Sequence, residues 1–199
     1  RYIAAAENMH VAALVGFNKT DLLEAGTPVK EVLAEYAAAD YPVIECSAES
    51  GENLDKIGRA LADRTAIIVG QSGVGKSSVI NRMIDTAEQK TGPLSRSSRE
   101  GRHTTVSSIM LELPDGGRVI DSPGVRDYAP AIDNEEEVII GFREIRDAGR
   151  DCRFANCRHL REPDCAVKTA VDDGGISPRR YESYKRLMVL TRDLAERRR

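Results

Sequence analysis

The stretch that decides the fold is Ile-Ile-Val-Gly-Gln-Ser-Gly-Val-Gly-Lys-Ser-Ser, residues 67–78. β-branched residues lead into a glycine, four residues follow, and Gly-Lys-Ser completes the phosphate-loop pattern between a strand and a helix. Glycines let backbone N–H groups turn toward a phosphate at the positive end of that helix. The lysine can reach the β- and γ-phosphates, and the first serine can ligate Mg²⁺. We therefore predict a nucleoside triphosphate site made by Gly70, Gln71, Ser72, Gly73, Val74, Gly75, Lys76, Ser77 and Ser78.

Length and composition limit the domain organisation. The 199 residues suffice for one α/β domain of about 140–160 residues and a small second domain. No apolar run approaches the roughly 18–20 residues of a membrane span, and no signal peptide is visible. We therefore expect a cytoplasmic protein with no membrane contact. Because the first residue is Arg1 rather than Met, we also expect a fragment, or a chain that lacks disordered ends.

The charge is unevenly distributed along the chain. The net charge is −3, yet residues 143–199 contain 15 Lys and Arg against 10 Asp and Glu. This asymmetry suggests an acidic body with a basic C-terminal arm that meets RNA phosphates. A solvated charged helix explains the same charge equally well.

A polar tetrad, Asn18-Lys19-Thr20-Asp21, follows an apolar run at 11–17 that we predict to be a strand. Ligands bind at this end of strands in open α/β sheets. The tetrad resembles the guanine-specificity motif of GTPases. The Asp21 carboxylate would accept hydrogen bonds from N1–H and the 2-amino group of guanine, Asn18 would fix the loop and contact N7, and the Lys19 stem would lie on the base.

A second short strand, predicted at 42–46, leads into Ser47-Ala48. In GTPases such a segment supplies a backbone N–H to guanine O6, so its position after the tetrad strengthens both assignments. Helices are predicted at about 27–40 and 53–62. Cys46 is expected to be a small buried apolar residue rather than a ligand or nucleophile.

Two further segments match the switch regions of GTPases. Residues 85–106 are predicted to form a long loop that ends in Gly-Arg-His-Thr-Thr, where Thr104 or Thr105 would approach the γ-phosphate and Mg²⁺. A hairpin of 107–113 and 118–120 then leads to Asp-Ser-Pro-Gly. Asp121, together with Ser77, would hold Mg²⁺, and the Gly124 N–H would meet the γ-phosphate.

All five guanine-nucleotide motifs are thus present in rotated order. This sequence resembles the circularly permuted GTPases, and most closely the family of ribosome small-subunit-dependent GTPase A. The resemblance covers nearly the whole chain and implies a circularly permuted α/β P-loop domain that binds GTP or GDP with Mg²⁺. It also implies a role late in the assembly of the bacterial small ribosomal subunit, with contacts to its rRNA. The N-terminal OB-fold of that family, and a strand before the helix at 1–8, are absent from this sequence.

Three cysteines and one histidine lie within 14 residues: Cys152, Cys157, His159 and Cys165. Such a set suits a closed tetrahedral site for one Zn²⁺. The segment has few large apolar residues, and metal binding worth about 10–16 kcal/mol would supply the stability it lacks. A redox or catalytic cysteine cluster is the alternative, but no Cys-x-x-Cys pair supports it. The resembled family has a zinc site with this ligand pattern.

Two helices are predicted in the C-terminal part. One covers 135–146, with Val138, Ile139, Phe142 and Ile145 as its apolar face, and joins the second switch to the zinc region. The other runs from Ser177 to about Glu196, with Tyr181, Tyr184, Met188 and Leu194 facing inward. We therefore predict a permuted GTPase domain at 1–142 and a zinc-binding helical domain at 143–199, in a monomer.

The predicted function is GTP hydrolysis that times a step on the small ribosomal subunit, with other assembly factors as candidate partners. Val125 occupies the position where many GTPases have a water-positioning glutamine, so hydrolysis is expected to be slow without a partner. His103 is the nearest substitute, although it equally suits an RNA contact. An RNA-binding module whose GTP/GDP site only regulates affinity is the alternative. An ATPase is a further one, against which Asn18, Lys19 and Asp21 argue.

Overall fold

The chain divides into two compact units in the computed structural model, which describes residues 1–24, 27, 29–91, 109–114, 116–122, 132 and 134–197, with only the backbone at 86–91. The helical unit comprises Arg1–Leu14, Pro28–Pro42 and Tyr128–Arg199; the sheet unit comprises Val15–Thr27 and Val43–Asp127. The elements in chain order are α1 (Tyr2–Asn8), β1 (Val15–Phe17), α2 (Val29–Ala38), β2 (Val43–Glu45), α3 (Leu54–Leu61), β3 (Thr65–Ile68), α4 (Lys76–Thr91), β4 (Ile109–Glu112), β5 (Arg118–Asp121), α5 (Glu135–Ile140), α6 (Arg143–Gly149), α7 (Ala166–Asp172) and α8 (Pro178–Arg197).

The sheet unit pairs its described strands in two groups. β1 and β2 are parallel, with Val15 opposite Val43, and β5 lies between parallel β3 and antiparallel β4. The β4–β5 connection closes through a hydrogen bond from the Gly116 N–H to the Leu113 carbonyl, as its Pro-Asp-Gly-Gly turn predicts. Helices α3 and α4 complete a core that contains Cys46, Leu54, Ile57, Val79, Ile80, Met83, Leu113 and Val119.

Two predicted boundaries in the sheet unit are wrong. The first strand begins at Val15 rather than at residue 11. Helix α4 continues through 85–91, which the sequence had assigned to a loop. Ala, Glu, Gln and Lys in that stretch all have high helix propensity, and the first glycine comes only at residue 92. The remainder of the predicted loop, 92–106, lies outside the described residues.

The helical unit is built around one apolar cluster to which five helices contribute. Its fully buried side chains include Val138, Ile145, Val167, Tyr184 and Met188. The ring of Tyr184 meets Phe142 edge-on, with centroids 5.6 Å apart. Leu194, predicted to face inward, is only half-buried. No helix in the described part of the chain is long and apolar enough to cross a membrane.

The single helix predicted at 135–146 is in fact two, α5 and α6. Phe142 has extended backbone angles, φ −129° and ψ 93°, and precedes α6. At Gly141 an added Cβ would lie 2.7 Å from the Cβ of Ala4, so α1 approaches the chain closely at the break. The helix therefore ends where a distant segment packs against it, which local periodicity does not reveal.

Helices α1 and α2 belong to the helical unit although they come early in the sequence. Arg143 bonds Glu7 of α1 at 2.8 Å, and Arg179 bonds Glu35 of α2 at 3.0 Å. Arg180 is buried, forms an ion pair with Glu144, and lies 5.5 Å from the ring centroid of Tyr36. The division into domains at 1–142 and 143–199 stays a prediction, because each compact unit combines segments that are separate in the sequence.

Candidate nucleotide and metal sites

The phosphate loop connects β3 to α4 as its pattern predicts. Gly70, Gly73 and Gly75 have φ values of +158°, +82° and +92°, which residues with a Cβ rarely adopt. The Lys76 Nζ donates to the carbonyl oxygens of Gly70 at 3.1 Å and of Gln71 at 3.2 Å. The lysine ammonium therefore lies over the loop. A bound phosphate would offer it oxygens in place of these two carbonyls.

The Asn-Lys-Thr-Asp segment is hydrogen-bonded directly to the phosphate loop. The Asn18 Nδ2 donates to the Val74 carbonyl at 3.1 Å, and the Lys19 Nζ donates to the Gly73 carbonyl at 2.8 Å. A Cβ at Gly75 would lie 2.3 Å from the Asn18 Nδ2, so this approach requires glycine. The two segments, more than 50 residues apart in sequence, thus form one surface at the ends of β1 and β3.

The Ser47-Ala48 segment completes the same surface. The Ser47 hydroxyl donates to the Asp21 Oδ1, and the Ala48 N–H donates to the Asn18 Oδ1 at 3.0 Å. Thr20 donates to Glu52 from its hydroxyl at 3.2 Å. Asp21 itself is exposed, and the fully buried Ser47 contacts one of its two carboxylate oxygens.

The residues predicted for Mg²⁺ are also in contact. The Ser77 hydroxyl donates to the Asp121 Oδ2 at 2.7 Å. The Asp121 Oδ1 is buried and has no hydrogen-bond partner among the described residues. An unpartnered buried carboxylate oxygen is costly unless a cation or donor meets it, and a hydroxyl with a carboxylate is the oxygen set that Mg²⁺ prefers. These two side chains therefore fit a magnesium ion.

Ser122 supports this geometry and was missed by sequence reasoning. Its hydroxyl donates to the Ile68 carbonyl at 2.6 Å, which joins the end of β5 to the end of β3 beside Asp121. The sequence offered only an unspecified position within Asp-x-x-Gly. His103, Thr104, Thr105 and Gly124, the other predicted nucleotide residues, lie outside the described residues.

The four predicted zinc ligands come together in the helical unit, with ligand atoms all within 4.8 Å of one another. The His159 Nδ1 lies 3.5 Å from the Sγ of Cys152 and 3.5 Å from the Sγ of Cys165, and these sulfurs are 3.8 Å apart. Tetrahedral zinc with ordinary bond lengths requires about 3.8 Å between sulfurs and about 3.6 Å between sulfur and nitrogen. The spacing of these three ligand atoms therefore fits a zinc ion, and the Cys157 Sγ lies within 4.8 Å of each of them.

Burial shifts the pKa values of Cys157 and His159 in this cluster. It raises the pKa of Cys157 to about 12, a shift to which neighbouring Cys165 and Cys152 add and which the His159 backbone opposes. Burial also lowers the pKa of His159, so its imidazole is neutral and ready to ligate. A metal that binds here must displace the Cys157 proton.

Several residues that hold the ligand loop were not identified from the sequence. The Glu162 carboxylate accepts three backbone N–H groups on either side of His159. Burial alone would raise the pKa of Glu162, but these hydrogen bonds outweigh it and lower that pKa to about 2. Tyr181 and Tyr184 donate to the carbonyls of His159 and Arg158. Their inward position was predicted, but not their partners.

Comparisons with known proteins agree with this architecture. The chain is 41% identical over 195 residues to the small ribosomal subunit biogenesis GTPase RsgA of Saccharophagus degradans, and 42% identical over 190 residues to that of Haemophilus influenzae strain 86-028NP. These alignments cover 94% of this chain in both cases, but 57% and 55% of the relatives. The chain therefore spans little more than half the length of these relatives.

Two solved structures are similar over 96% of this chain. YjeQ from Thermotoga maritima matches with a TM-score of 0.75 and 30% identity, and YloQ, a circularly permuted GTPase, with 0.76 and 27%. The matches cover 63% and 61% of those chains. Fold and motif order together define a circularly permuted P-loop GTPase domain, followed in the sequence by a Cys₃His cluster. A family model described as RsgA GTPase matches residues 1–130, and the chain belongs to that family.

Proposed function

We propose that this chain binds GTP with Mg²⁺, hydrolyses it to GDP and phosphate, and acts late in maturation of the small ribosomal subunit. Family membership and the names of the relatives support the reaction and the subunit. The structural observation that carries the proposal is the joining of the guanine-type segment to the phosphate loop through Asn18 and Lys19. This arrangement positions a base and its phosphates with one set of residues.

The proposed roles follow the contacts. Asp21 accepts from N1–H and the 2-amino group of guanine, a pair of donors that adenine lacks. The Ala48 N–H, which donates to the Asn18 Oδ1, is the proposed donor to guanine O6, and the loop N–H groups and Lys76 would bind the phosphates. Ser77 and Asp121 would hold Mg²⁺, which neutralises charge that develops between the β- and γ-phosphates.

The residue that positions the attacking water is proposed from the sequence. Val125 cannot orient water, so we propose slow hydrolysis alone and faster hydrolysis on the subunit, with His103 as the candidate that replaces glutamine. His103→Ala should then lose subunit-stimulated turnover and keep its GTP affinity. Lost subunit binding in that variant would instead identify His103 as an RNA contact.

The helical unit is proposed to bind one Zn²⁺ and to contact rRNA. We further propose that the protein is a cytoplasmic monomer and that other assembly factors are among its partners. Glu135, at the start of α5, bonds Arg192 of α8 at 2.6 Å and Arg158 of the ligand loop at 3.1 Å. Because α5 follows Asp121 and Gly124 along the chain, we propose that their contact with the γ-phosphate site changes the position of the helical unit and hence its affinity for RNA. Linkage then requires small subunits to tighten GTP binding more than GDP binding.

The experiment is phosphate release from GTP with and without purified small subunits, with ATP as a parallel substrate. We expect slow GTP turnover that rises with subunit concentration, and poor competition by ATP for a fluorescent guanine nucleotide. Binding of GTP with no turnover, even on the subunit, would favour an RNA-binding module that GTP/GDP only regulates. Equal affinity of the GTP-analogue and GDP forms for the small subunit would contradict the proposed nucleotide-dependent binding. The Lys76→Ala variant controls for contaminating GTPases.

A further inference from the structure

We propose that Glu162 is a positioning residue for the metal site: its carboxylate sets the backbone around His159 so that the imidazole faces the cysteines before metal arrives. The inference rests on the proposed zinc site. It concerns a residue that is not one of the four ligands, and its observations come from the backbone of residues 158–161.

The contacts converge on one carboxylate from both sides of the ligand. The Glu162 Oε1 accepts from the Arg158 N–H at 2.8 Å, and the Oε2 accepts from the N–H groups of Leu160 at 2.8 Å and Arg161 at 2.9 Å. We call these three hydrogen bonds the Glu162 brace. Both oxygens are engaged by the backbone, so Glu162 acts on the metal through His159 and not as a fifth ligand.

The brace is needed because the ligand loop has an unfavourable backbone. His159 has φ +57°, in the left-handed region that a residue with a Cβ adopts at a cost. Residues 152–165 connect α6 to α7 without a regular element to pair their N–H groups. Convergent N–H groups form an anion-binding concavity, and here the anion is supplied by the chain itself.

Helix α8 holds two carbonyls of the same segment. Tyr181 donates to the His159 carbonyl, and Tyr184 donates to the Arg158 carbonyl at 2.8 Å. Both tyrosine side chains are buried in the core of the helical unit. The His159–Leu160 peptide is thus held on both sides, its carbonyl by Tyr181 and its N–H by Glu162, next to the α-carbon that carries the imidazole.

The test measures zinc affinity of Glu162→Gln by competition with a chromophoric chelator, and the spectrum of the Co²⁺-loaded chain. Glutamine has one acceptor oxygen, and its amide NH₂ would face backbone donors. We expect zinc affinity about 10- to 100-fold weaker, with a tetrahedral Co²⁺ thiolate spectrum unchanged. Glu182→Gln, an exposed change on α8, is the matched control and should behave as wild type. Unchanged zinc affinity in Glu162→Gln, or an altered Co²⁺ ligand set, would overturn the proposal.

A measurement that does not depend on zinc affinity tests the brace itself. Amide exchange at Arg158, Leu160 and Arg161 in the wild-type chain as purified should be slow, and Glu162→Gln should speed exchange at these amides while α8 stays protected. Fast exchange at all three in the wild type overturns the brace. A wild type that binds no zinc but protects these amides overturns the proposed metal site and leaves the brace standing.

Discussion

The nucleotide site and the metal site are built in opposite ways. The nucleotide surface is formed mainly by backbone at strand ends, is exposed at Gln71, Ser72 and Gly73, and is held by side chains that donate to loop carbonyls. The metal site is formed by side chains, three of them with 7% exposure or less, within the core of the helical unit. One candidate site is shaped by loop backbone, and the other by four side chains whose ligand atoms lie within 4.8 Å of one another.

This difference assigns separate thermodynamic roles to the two ligands. Cys157 and Cys165 belong to the apolar cluster of the helical unit, so zinc bound there would add its binding free energy to the folding of that unit. A nucleotide on the exposed loop would stabilise the chain according to its concentration and affinity, without becoming part of a core. Variants of the metal site should therefore lose stability, and variants of the nucleotide site should lose nucleotide affinity.

The largest expected effect is on stability, from Cys157→Ser or from removal of zinc with a chelator. Losing a buried ligand should lower the free energy of unfolding by more than about 4 kcal/mol, because structural zinc contributes folding energy directly. Denaturant unfolding and metal analysis measure it. The control Cys46→Ala removes a buried thiol from the sheet unit and should keep one zinc per chain. A Cys157→Ser variant that unfolds as wild type would contradict the comparison.

The second effect is confined to the nucleotide. Lys76→Ala should weaken GTP binding about 100-fold or more, since it removes a charge-assisted contact to two phosphates. The unfolding free energy should change by less than about 1.5 kcal/mol, the upper value for a net hydrogen-bond loss. Fluorescent-nucleotide titration and denaturant unfolding, run in parallel, test both statements. Lys56→Ala on the exposed face of α3 is the control. A large loss of stability would mean that the loop is not independent of the core.

The third effect is on selectivity. Asp21→Asn should weaken GTP binding about 10- to 100-fold and leave ATP binding poor, because half of a carboxylate that accepts from two donors becomes a donor itself. The affinity for xanthosine triphosphate, whose 2-position is an acceptor, should fall less than that for GTP or should rise. Competition titrations with the three nucleotides measure the order. Unchanged GTP affinity would remove Asp21 from the base site.

Sequence reasoning succeeded where the information is contiguous. The β3–loop–α4 unit was predicted because its strand, glycines and helix start occupy neighbouring residues, and the ligand set because cysteine and histidine spacing is itself the signal. Ser77 and Asp121, which the motifs assigned to one Mg²⁺, are in contact, and Asn18 donates to Val74 of the phosphate loop. Their binding roles remain predictions.

What the sequence did not reveal depends on tertiary contact. The break at Gly141 is set by Ala4, and the packing of α2 with α8 joins residues more than 140 positions apart. The sequence does not indicate the Glu162 brace, because a glutamate in a polar loop gives the same pattern whether it binds solvent or three backbone N–H groups. Periodicity describes faces of single elements and cannot say which distant segment covers them.

The smallest expected effect is from Gly149→Ala at the end of α6. An added Cβ would lie 3.0 Å from both Cε1 and Nε2 of His159, so the ring must shift by a few tenths of an ångström. Alanine also stabilises a helix by about 0.5–1 kcal/mol relative to glycine, but this gain is present with and without zinc and cancels in the zinc affinity. What remains is a mild overpacking cost of about 1 kcal/mol, or about fivefold weaker zinc binding. Chelator competition measures this, with Gly16→Ala as the control because a Cβ there meets nothing within 4 Å. Weaker zinc binding with equal or higher metal-free stability would show that the position of His159 limits affinity. Unchanged zinc affinity would show that the imidazole has room to move, and the contrast between a preformed nucleotide loop and a tightly fitted metal site would then be smaller than the distances indicate.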